Sequence, residues 1–411
     1  MQGKENSGSG LRGNLQLWSY NYDPEPTGIA PVSTCLAHQL RDRGWHVQVV
    51  AAHPHYPEPR WGRRLRPYRE RRDGVRVLRL PLWVGRDSTG QRMRQEASFT
   101  AALLGAIPAL GRPDVMLVTS PSFPALAAAL VNAKLRSLPW ILWLHDLLPD
   151  GAISAGLLEE DSLALRGSRR LEAAAYRDSD RIVVLSSAFG ENLRARGVPA
   201  EKIDLIYDPA TREPADVPDE GRFGEPPRIL SMGNIGHTQG LAPLVAAFER
   251  SSEMAALGST LVITGNGVAA AGVRAQVRTE RVRMLGLVDD RRLDAELRSA
   301  NLALVSQSYD GTEFNLPSKL MNFMMYGLPV IAAVNPRGEV ARIVNESGGG
   351  WVADSSDPDS FPRTVARAHA DPSEVARRSR AARLFAEKRF ASRAFADRFE
   401  EVLRPFAGAR A

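Results

Sequence analysis

Residues Leu15 to Ala51 read LQLWSYNYDPEPTGIAPVSTCLAHQLRDRGWHVQVVA. An apolar run, Leu15 to Trp18, gives way to a polar loop through Asp23, Pro24 and Gly28. Ala30 to Arg43 then has helical character, and Gly44 stands where a helix C-cap is expected. A second apolar run follows at Val47 to Ala51. Strand, crossover helix and strand in this order predict parallel pairing in a sheet covered on both faces.

The same alternation continues outward. Further strands are expected at Val75–Leu80, Val115–Thr119, Trp140–Trp143 and Ile182–Leu185, with a helix at Leu163–Asp178. Asp208 to Pro227 holds five prolines among acidic residues and no apolar periodicity, so it reads as a linker. Strands are expected again at Ile229–Met232, Leu261–Thr264, Val282–Leu285, Leu302–Val305 and Val330–Ala333, and Ser373 to Phe406 reads as helical. The expectation is two doubly wound α/β domains, 11–209 and 228–390, joined by a linker at 210–227. The last segment, 391–411, is expected to pack back on the first domain.

Composition narrows the class. The 411 residues are 44% hydrophobic and 24% charged, ordinary for a globular chain. The single cysteine, Cys35, excludes a disulfide framework and points to a reducing, cytoplasmic setting. The longest charge-free run, Val115 to Ala133, is interrupted by Pro121 and Pro124 and does not read as a membrane span. Met1 to Gly10 lacks an apolar core and reads as a flexible tail. The net charge is +6, and Arg60 to Arg79 alone holds nine arginines against Glu70 and Asp73. Such a patch suits phosphorylated substrates or an anionic membrane surface; no nucleic-acid recognition motif surrounds it.

In doubly wound sheets ligands sit outside the carboxyl ends of the strands, so loops that follow strands are the places to search. The loop Tyr20–Ala30 brings Thr27 and Gly28 to a helix start without a dinucleotide fingerprint. His53 and His55 follow the second strand, but no third ligand accompanies them to suggest a metal. His145-Asp146 ends an apolar strand and has the chemistry for acid/base work or for holding a sugar hydroxyl. Gly233-Asn234-Ile235-Gly236 and Gly265-Asn266-Gly267 are small polar turns suited to phosphate and ribose contacts. The strongest loop is Glu313-Phe314-Asn315-Leu316-Pro317-Ser318-Lys319-Leu320-Met321-Asn322. Only five lysines occur in the chain, and Lys319 stands near a helix start where it can neutralise a diphosphate.

Taken together, Pro26-Thr27-Gly28-Ile29, Pro54-His55-Tyr56-Pro57, His145-Asp146-Leu147-Leu148-Pro149, Met232-Gly233-Asn234-Ile235-Gly236, Leu316-Pro317-Ser318-Lys319-Leu320 and Gly327-Leu328-Pro329-Val330 resemble the family 4 nucleotide-sugar glycosyltransferases. The likeness is to the exopolysaccharide and O-antigen type, which includes colanic-acid and N-acetylfucosamine transferases. The resemblance implies the GT-B fold, two Rossmann-like domains facing across a cleft. It also implies a retaining transfer from a nucleotide-diphosphate sugar, with UDP-sugar favoured and no metal or other cofactor. By the same resemblance Lys319, Asp146 and His145 are expected in the catalytic centre. Gly233, Asn234, Gly236, Gly265, Asn266, Gly267, Glu313, Asn315, Leu316, Pro317, Ser318 and Asn322 are expected around the donor, and Thr27, Gly28 and His55 on the acceptor side.

Many relatives carry two glutamates eight positions apart here. In this chain Asn322 takes the second place, and Glu313 falls one residue before the first. His237 stands where many relatives have a basic residue. The implied acceptor is a polyprenyl-diphosphate-linked glycan at the inner membrane face, with Arg60–Arg79 touching anionic lipid. Alternatives are a soluble natural-product acceptor, a GT-B sugar-nucleotide epimerase, or a non-catalytic scaffold that binds nucleotide sugar.

Overall fold

The structure, a computed structural model, describes residues 12–26, 28–56, 65–85, 88–120, 123–145, 163–216, 223–309 and 316–408. The chain divides into two compact units. The first holds the N-terminal half through Tyr207 apart from a short segment, together with Phe395–Ala411; the second holds that segment, Ser186–Ala188, and Asp208–Ala394.

The first unit is built on an eight-stranded sheet in the order β3-β4-β2-β1-β5-β6-β7-β8. The strands are β1 (Gly13–Ser19), β2 (Trp45–Ala52), β3 (Tyr68–Arg72), β4 (Val75–Leu80), β5 (Val115–Thr119), β6 (Trp140–Leu144), β7 (Arg181–Val184) and β8 (Ile203–Leu205). All neighbours pair parallel except β3 and β4, which form an antiparallel hairpin at the edge. Central strands such as Val-Met-Leu-Val-Thr at β5 are buried along their whole length, as parallel strands covered on both faces must be.

Helix Ala30–Asp42 starts with Pro31 in its first turn and buries Leu36, Ala37 and Leu40 against the sheet. The same core takes Phe395, Phe399, Val402 and Leu403 from helix Ser392–Leu403, with Phe399 edge-on to Trp143 at 4.8 Å. Each of these fully buried aromatic or aliphatic side chains contributes about 1.5–3 kcal/mol of transfer free energy. The C-terminal helix is therefore an integral part of the first core. The run expected as one helix, Ser373 to Phe406, is two: Pro372–Arg389 and Ser392–Leu403. The break falls at Phe390, whose carbonyl accepts from Ala210 N at 2.7 Å.

The second unit has a six-stranded, wholly parallel sheet ordered β11-β10-β9-β12-β13-β14. Its strands are β9 (Arg228–Met232), β10 (Thr260–Thr264), β11 (Val282–Gly286), β12 (Leu302–Ser306), β13 (Val330–Val334) and β14 (Gly350–Asp354). A core that includes Ile229, Ile263, Leu304, Ile331, Phe248 and Phe361 fills the space between sheet and helices. Strand order reverses between β9 and β12. That is a topological switch point, where loops leaving neighbouring strands diverge and open a crevice.

Candidate active site

In the second unit three loops leave the carboxyl ends of β10, β9 and β12, which are adjacent strands. The loops after β9 and β10 are laced together through their backbones: Gly233 N donates to Thr264 O at 3.0 Å and Ile235 N to Asn266 O at 2.9 Å. A side chain at Gly265 would place Cβ 1.8 Å from the Gly233 carbonyl oxygen, and one at Gly267 would come within 2.4 Å of the Ile235 carbonyl. These two glycines are thus required by the packing of one loop on the other. Gly233 differs. Its φ of +101° demands glycine, yet a Cβ there would meet nothing within 4 Å. It is exposed beside Asn234, so its backbone faces open space that a ligand can approach.

The turn that follows is held closed. Gly236 N donates to Gln239 Oε1 at 2.9 Å, and Ser308 N, just beyond β12, donates to Thr238 O at 2.9 Å. Gln239 was not singled out by the sequence; a glutamine three residues after a glycine at a helix start is a capping pattern that signals it. Exposed His237 lies in the same turn.

Lys319 is the second residue of helix Ser318–Met325, which begins after Pro317 without a side-chain cap. The residue is half-buried, and among the described residues it makes no ion pair. Burial pushes its ammonium down from the usual lysine range to about 8. A cation desolvated this far, with no carboxylate paired to it among the described residues, favours an arriving anion. The positive end of the same helix's dipole adds to that preference. Leu316 and Pro317 are half-buried and Ser318 is exposed. Glu313 and Asn315 lie outside the described residues.

Asn322 is placed otherwise than expected. Its Oδ1 accepts from Thr211 N at 3.0 Å, Arg212 N at 3.1 Å and Thr211 Oγ1 at 3.2 Å, and its Nδ2 pairs with the same hydroxyl at 2.9 Å. The side chain is buried. It is consumed in tying the segment after Pro209 to this helix, which gives it a structural occupation in place of a donor contact.

The first unit has its own cluster at the ends of β1 and β2. Its centre is Glu25, a buried carboxylate that the sequence reading did not single out. Glu25 Oε1 accepts from His55 N at 2.9 Å and Tyr56 N at 2.8 Å, and Oε2 from Asn21 Nδ2 at 2.8 Å. His55 Nδ1 lies 2.9 Å from His53 O and 3.4 Å from Glu25 Oε1. His55 is fully buried, edge-on to Tyr20 at 5.1 Å, so it shapes the loop from beneath. Gly28 has φ +66° and no atom within 4 Å of a Cβ position, an open turn. Thr27 lies outside the described residues. Glu25→Ala should strand the buried His55 amide and release the partly buried Tyr56 amide, lowering stability by about 2–4 kcal/mol, read as a clear drop in melting temperature. A change below about 0.5 kcal/mol would show that water replaces the carboxylate without loss.

At the end of β6, His145 packs against Trp143 with ring centroids 4.7 Å apart. Burial pushes its imidazole down to about 3, so it is neutral near pH 7. It can exchange hydrogen bonds with a hydroxyl, but carrying a proton is strongly opposed. Asp146 lies outside the described residues. Among the described residues no helix is long and apolar enough to cross a membrane, and no group of three or more His, Cys, Asp or Glu could hold a metal ion.

Comparison with known proteins accounts for this arrangement. Residues 27–209 match a family model described as a glycosyl transferase 4-like domain, and residues 226–371 match glycosyl transferases group 1. The chain is 25% identical to the "Putative colanic acid biosynthesis glycosyl transferase WcaI" of Escherichia coli strain K12, over 86% of this chain and 90% of that protein. It is 26% identical to the "Probable glycosyltransferase WbjE" of Pseudomonas aeruginosa, over 62% of this chain and 63% of that protein. Among solved structures, Anabaena Alr3699/HepE in complex with UDP superposes with a TM-score of 0.65 at 16% identity, covering 95% of this chain and 99% of that one. The two family models meet the two units in order, and the parallel sheets with their carboxyl-end loops are those of GT-B enzymes. The chain belongs to the family 4 glycosyltransferases of the GT-B fold.

Proposed function

We propose that this glycosyltransferase moves a sugar, with retention of anomeric configuration and without a metal, from a UDP-sugar to a polyprenyl-diphosphate-linked glycan. The observation that carries the donor half is Lys319, a desolvated cation free of acid partners among the described residues, in the first turn of the helix that follows β12, a strand at the switch point. In a sugar transfer from a nucleotide diphosphate, negative charge grows on the departing diphosphate. A preorganised cation and the positive end of a helix lower that barrier most, because they interact more strongly with the leaving group than with the ground state. The bare Gly233 turn supplies a close backbone approach to the phosphates, and Asn234 and Asn266, both exposed, suit ribose and phosphate oxygens. HepE, a structural neighbour, is solved with UDP and with UDP-glucose, which supports the choice of base.

The acceptor side is assigned to Gly28, His55 and the His145-Asp146 loop of the first unit. The WcaI match, named for colanic acid biosynthesis, supports a glycan acceptor. A lipid-linked acceptor places the enzyme on the cytoplasmic side, in peripheral contact with the inner membrane face through the arginine-rich stretch. Among the described arginines of that stretch, two are already paired. Arg60, Arg63 and Arg64 lie outside the described residues, Arg79 is buried against Glu70 at 2.8 Å, and Arg72 is held by Asp23 at 2.5 Å.

The test is thermal shift against UDP, GDP, ADP and dTDP, each with and without magnesium. UDP alone should stabilise the protein, by about 2.7 kcal/mol at a hundredfold excess over its dissociation constant, unchanged by magnesium. Stabilisation by another base moves the donor assignment. A shift that requires magnesium overturns the metal-free reading, and none at all favours a scaffold.

A further inference from the structure

At the edge of the first sheet, away from the carboxyl-end loops, the β3–β4 hairpin carries charges that no described residue balances. Its register sets Arg71 directly opposite Arg76 and Arg69 opposite Leu78. Arg69 and Arg71 alternate with Tyr68, Glu70 and Arg72 along β3, so the two exposed arginines share one face. Like charges directly across an antiparallel pair repel. Glu70 is held by the buried Arg79, and Asp73, exposed at the turn, makes no ion pair with Arg69, Arg71 or Arg76 among the described residues. Arg72 is held by Asp23. Arg76 donates to His46, which burial, Arg76 and Arg71 keep neutral.

The same face opens into a groove of about 580 Å³ lined by Gln48, Arg69, Glu70, Arg71, Arg76 and the turn at Ala109 and Gly111. Gln48 lies beside Arg76 in the parallel β2–β4 register. A relay of buried side chains orients it: Trp18 Nε1 donates to Gln16 Oε1 at 2.8 Å, and Gln16 Nε2 donates to Gln48 Oε1 at 3.1 Å. With its oxygen occupied, the Gln48 amide is left to offer N–H. The groove therefore presents three guanidinia and an amide donor, with the paired Glu70 the one carboxylate among its described lining residues.

We propose that this groove is a binding site for a phosphate-class anion of two or more charges, a diphosphate or a phosphorylated headgroup. Arg71 and Arg76 grip it from adjacent strands, and Gln48 donates from the floor. Planar guanidinia bind phosphate oxygens in pairs, and a bound dianion relieves the cross-strand repulsion. The site stands on the hairpin geometry alone and does not need the transfer reading.

Isothermal titration of the full chain with inorganic pyrophosphate tests it, using wild type, Arg71→Gln/Arg76→Gln and Lys319→Ala. Wild type should bind pyrophosphate at two places, the Lys319 site and the groove: Lys319→Ala loses the first and keeps the groove site, while the double variant weakens the groove site about tenfold or more, as expected for losing charge-assisted contacts. Circular dichroism melts check the fold of each variant, and Gln48→Leu gives an uncharged second probe with a smaller loss. Sedimentation with phosphatidylcholine vesicles, with and without phosphatidylglycerol, separates the sources. Pelleting that needs phosphatidylglycerol and both arginines assigns the phosphate to a lipid headgroup, and pyrophosphate binding without pelleting assigns it to a soluble ligand. The proposal is overturned if pyrophosphate affinity is the same in wild type and the double variant and pelleting is unaffected, or if only Lys319→Ala loses pyrophosphate.

Discussion

Replacing Lys319 by alanine is expected to lower kcat by about 10²–10³-fold, the range seen when one preorganised donor to a developing negative charge is removed. The fold should be untouched. Lys319 sits in the first turn of helix Ser318–Met325 and makes no ion pair among the described residues, so none of these is lost. Its ammonium is held at about 8 by burial, so the wild type carries an uncompensated desolvation penalty at neutral pH. The sign follows from proton linkage. Between pH 8 and the ordinary lysine range the unfolded chain binds more protons than the folded one, so stability should rise with pH across that window. Lys319→Ala removes this dependence and should melt at or above the wild-type temperature at pH 7. A loss of fold in Lys319→Ala would mean the side chain serves structure instead.

The same depressed value predicts a pH profile for the reaction. kcat/KM for the donor reports the free enzyme, so it should fall as pH rises through about 8, where the ammonium loses its proton. Lys319→Arg keeps a positive charge throughout and should flatten that limb, although its wider head limits the absolute rate. An unchanged limb in Lys319→Arg would assign the titration to another group.

How much of this was legible in the sequence differs from element to element. The parallel core strands were legible because burial on both faces imposes unbroken Val/Ile/Leu runs, as in Leu302–Ser306. The strands that escaped notice are those whose pattern comes from the edge or from shortness. Tyr68–Arg72 is Tyr-Arg-Glu-Arg-Arg, a strand by pairing with β4 and by nothing in its composition. Ile203–Leu205 is only three residues. Gly350–Asp354 opens on a glycine required because a Cβ would lie 2.1 Å from the Val330 carbonyl oxygen.

At the site, Lys319 was legible through rarity and position. Asn322 and the Gly265 turn were legible as small polar residues after strands, but whether a ligand or a neighbouring loop needs them is decided by contacts far apart in sequence. Thr211 reaches Asn322 across 111 positions, and Gly233 meets Gly265 across a whole crossover. Glu25 hid in plain view, since a glutamate between prolines reads as a solvated turn until two other loops close on it.

The largest structural effect is expected at Gly265→Ala. Its φ of +121° lies where an alanine is strained, and the new methyl would overlap the Gly233 carbonyl oxygen at 1.8 Å. Relief requires parting the β9 and β10 loops and giving up the hydrogen bonds of Gly233 N to Thr264 O and Ile235 N to Asn266 O. Strain and lost bonds together should cost about 3–5 kcal/mol. For a unit of this size that lowers the melting temperature by roughly 10 °C. Two controls separate the causes. Gly286→Ala also has positive φ, +70°, but no atom within 4 Å, so it should lose only about 1 kcal/mol. Gly233→Ala is strained in φ yet unobstructed, so the fold should survive while nucleotide affinity falls by about tenfold, because the methyl occupies the face a phosphate must approach. If Gly265→Ala melts no lower than Gly286→Ala, the two loops part freely, and the close packing that presents Gly233 is not what holds this side of the site together.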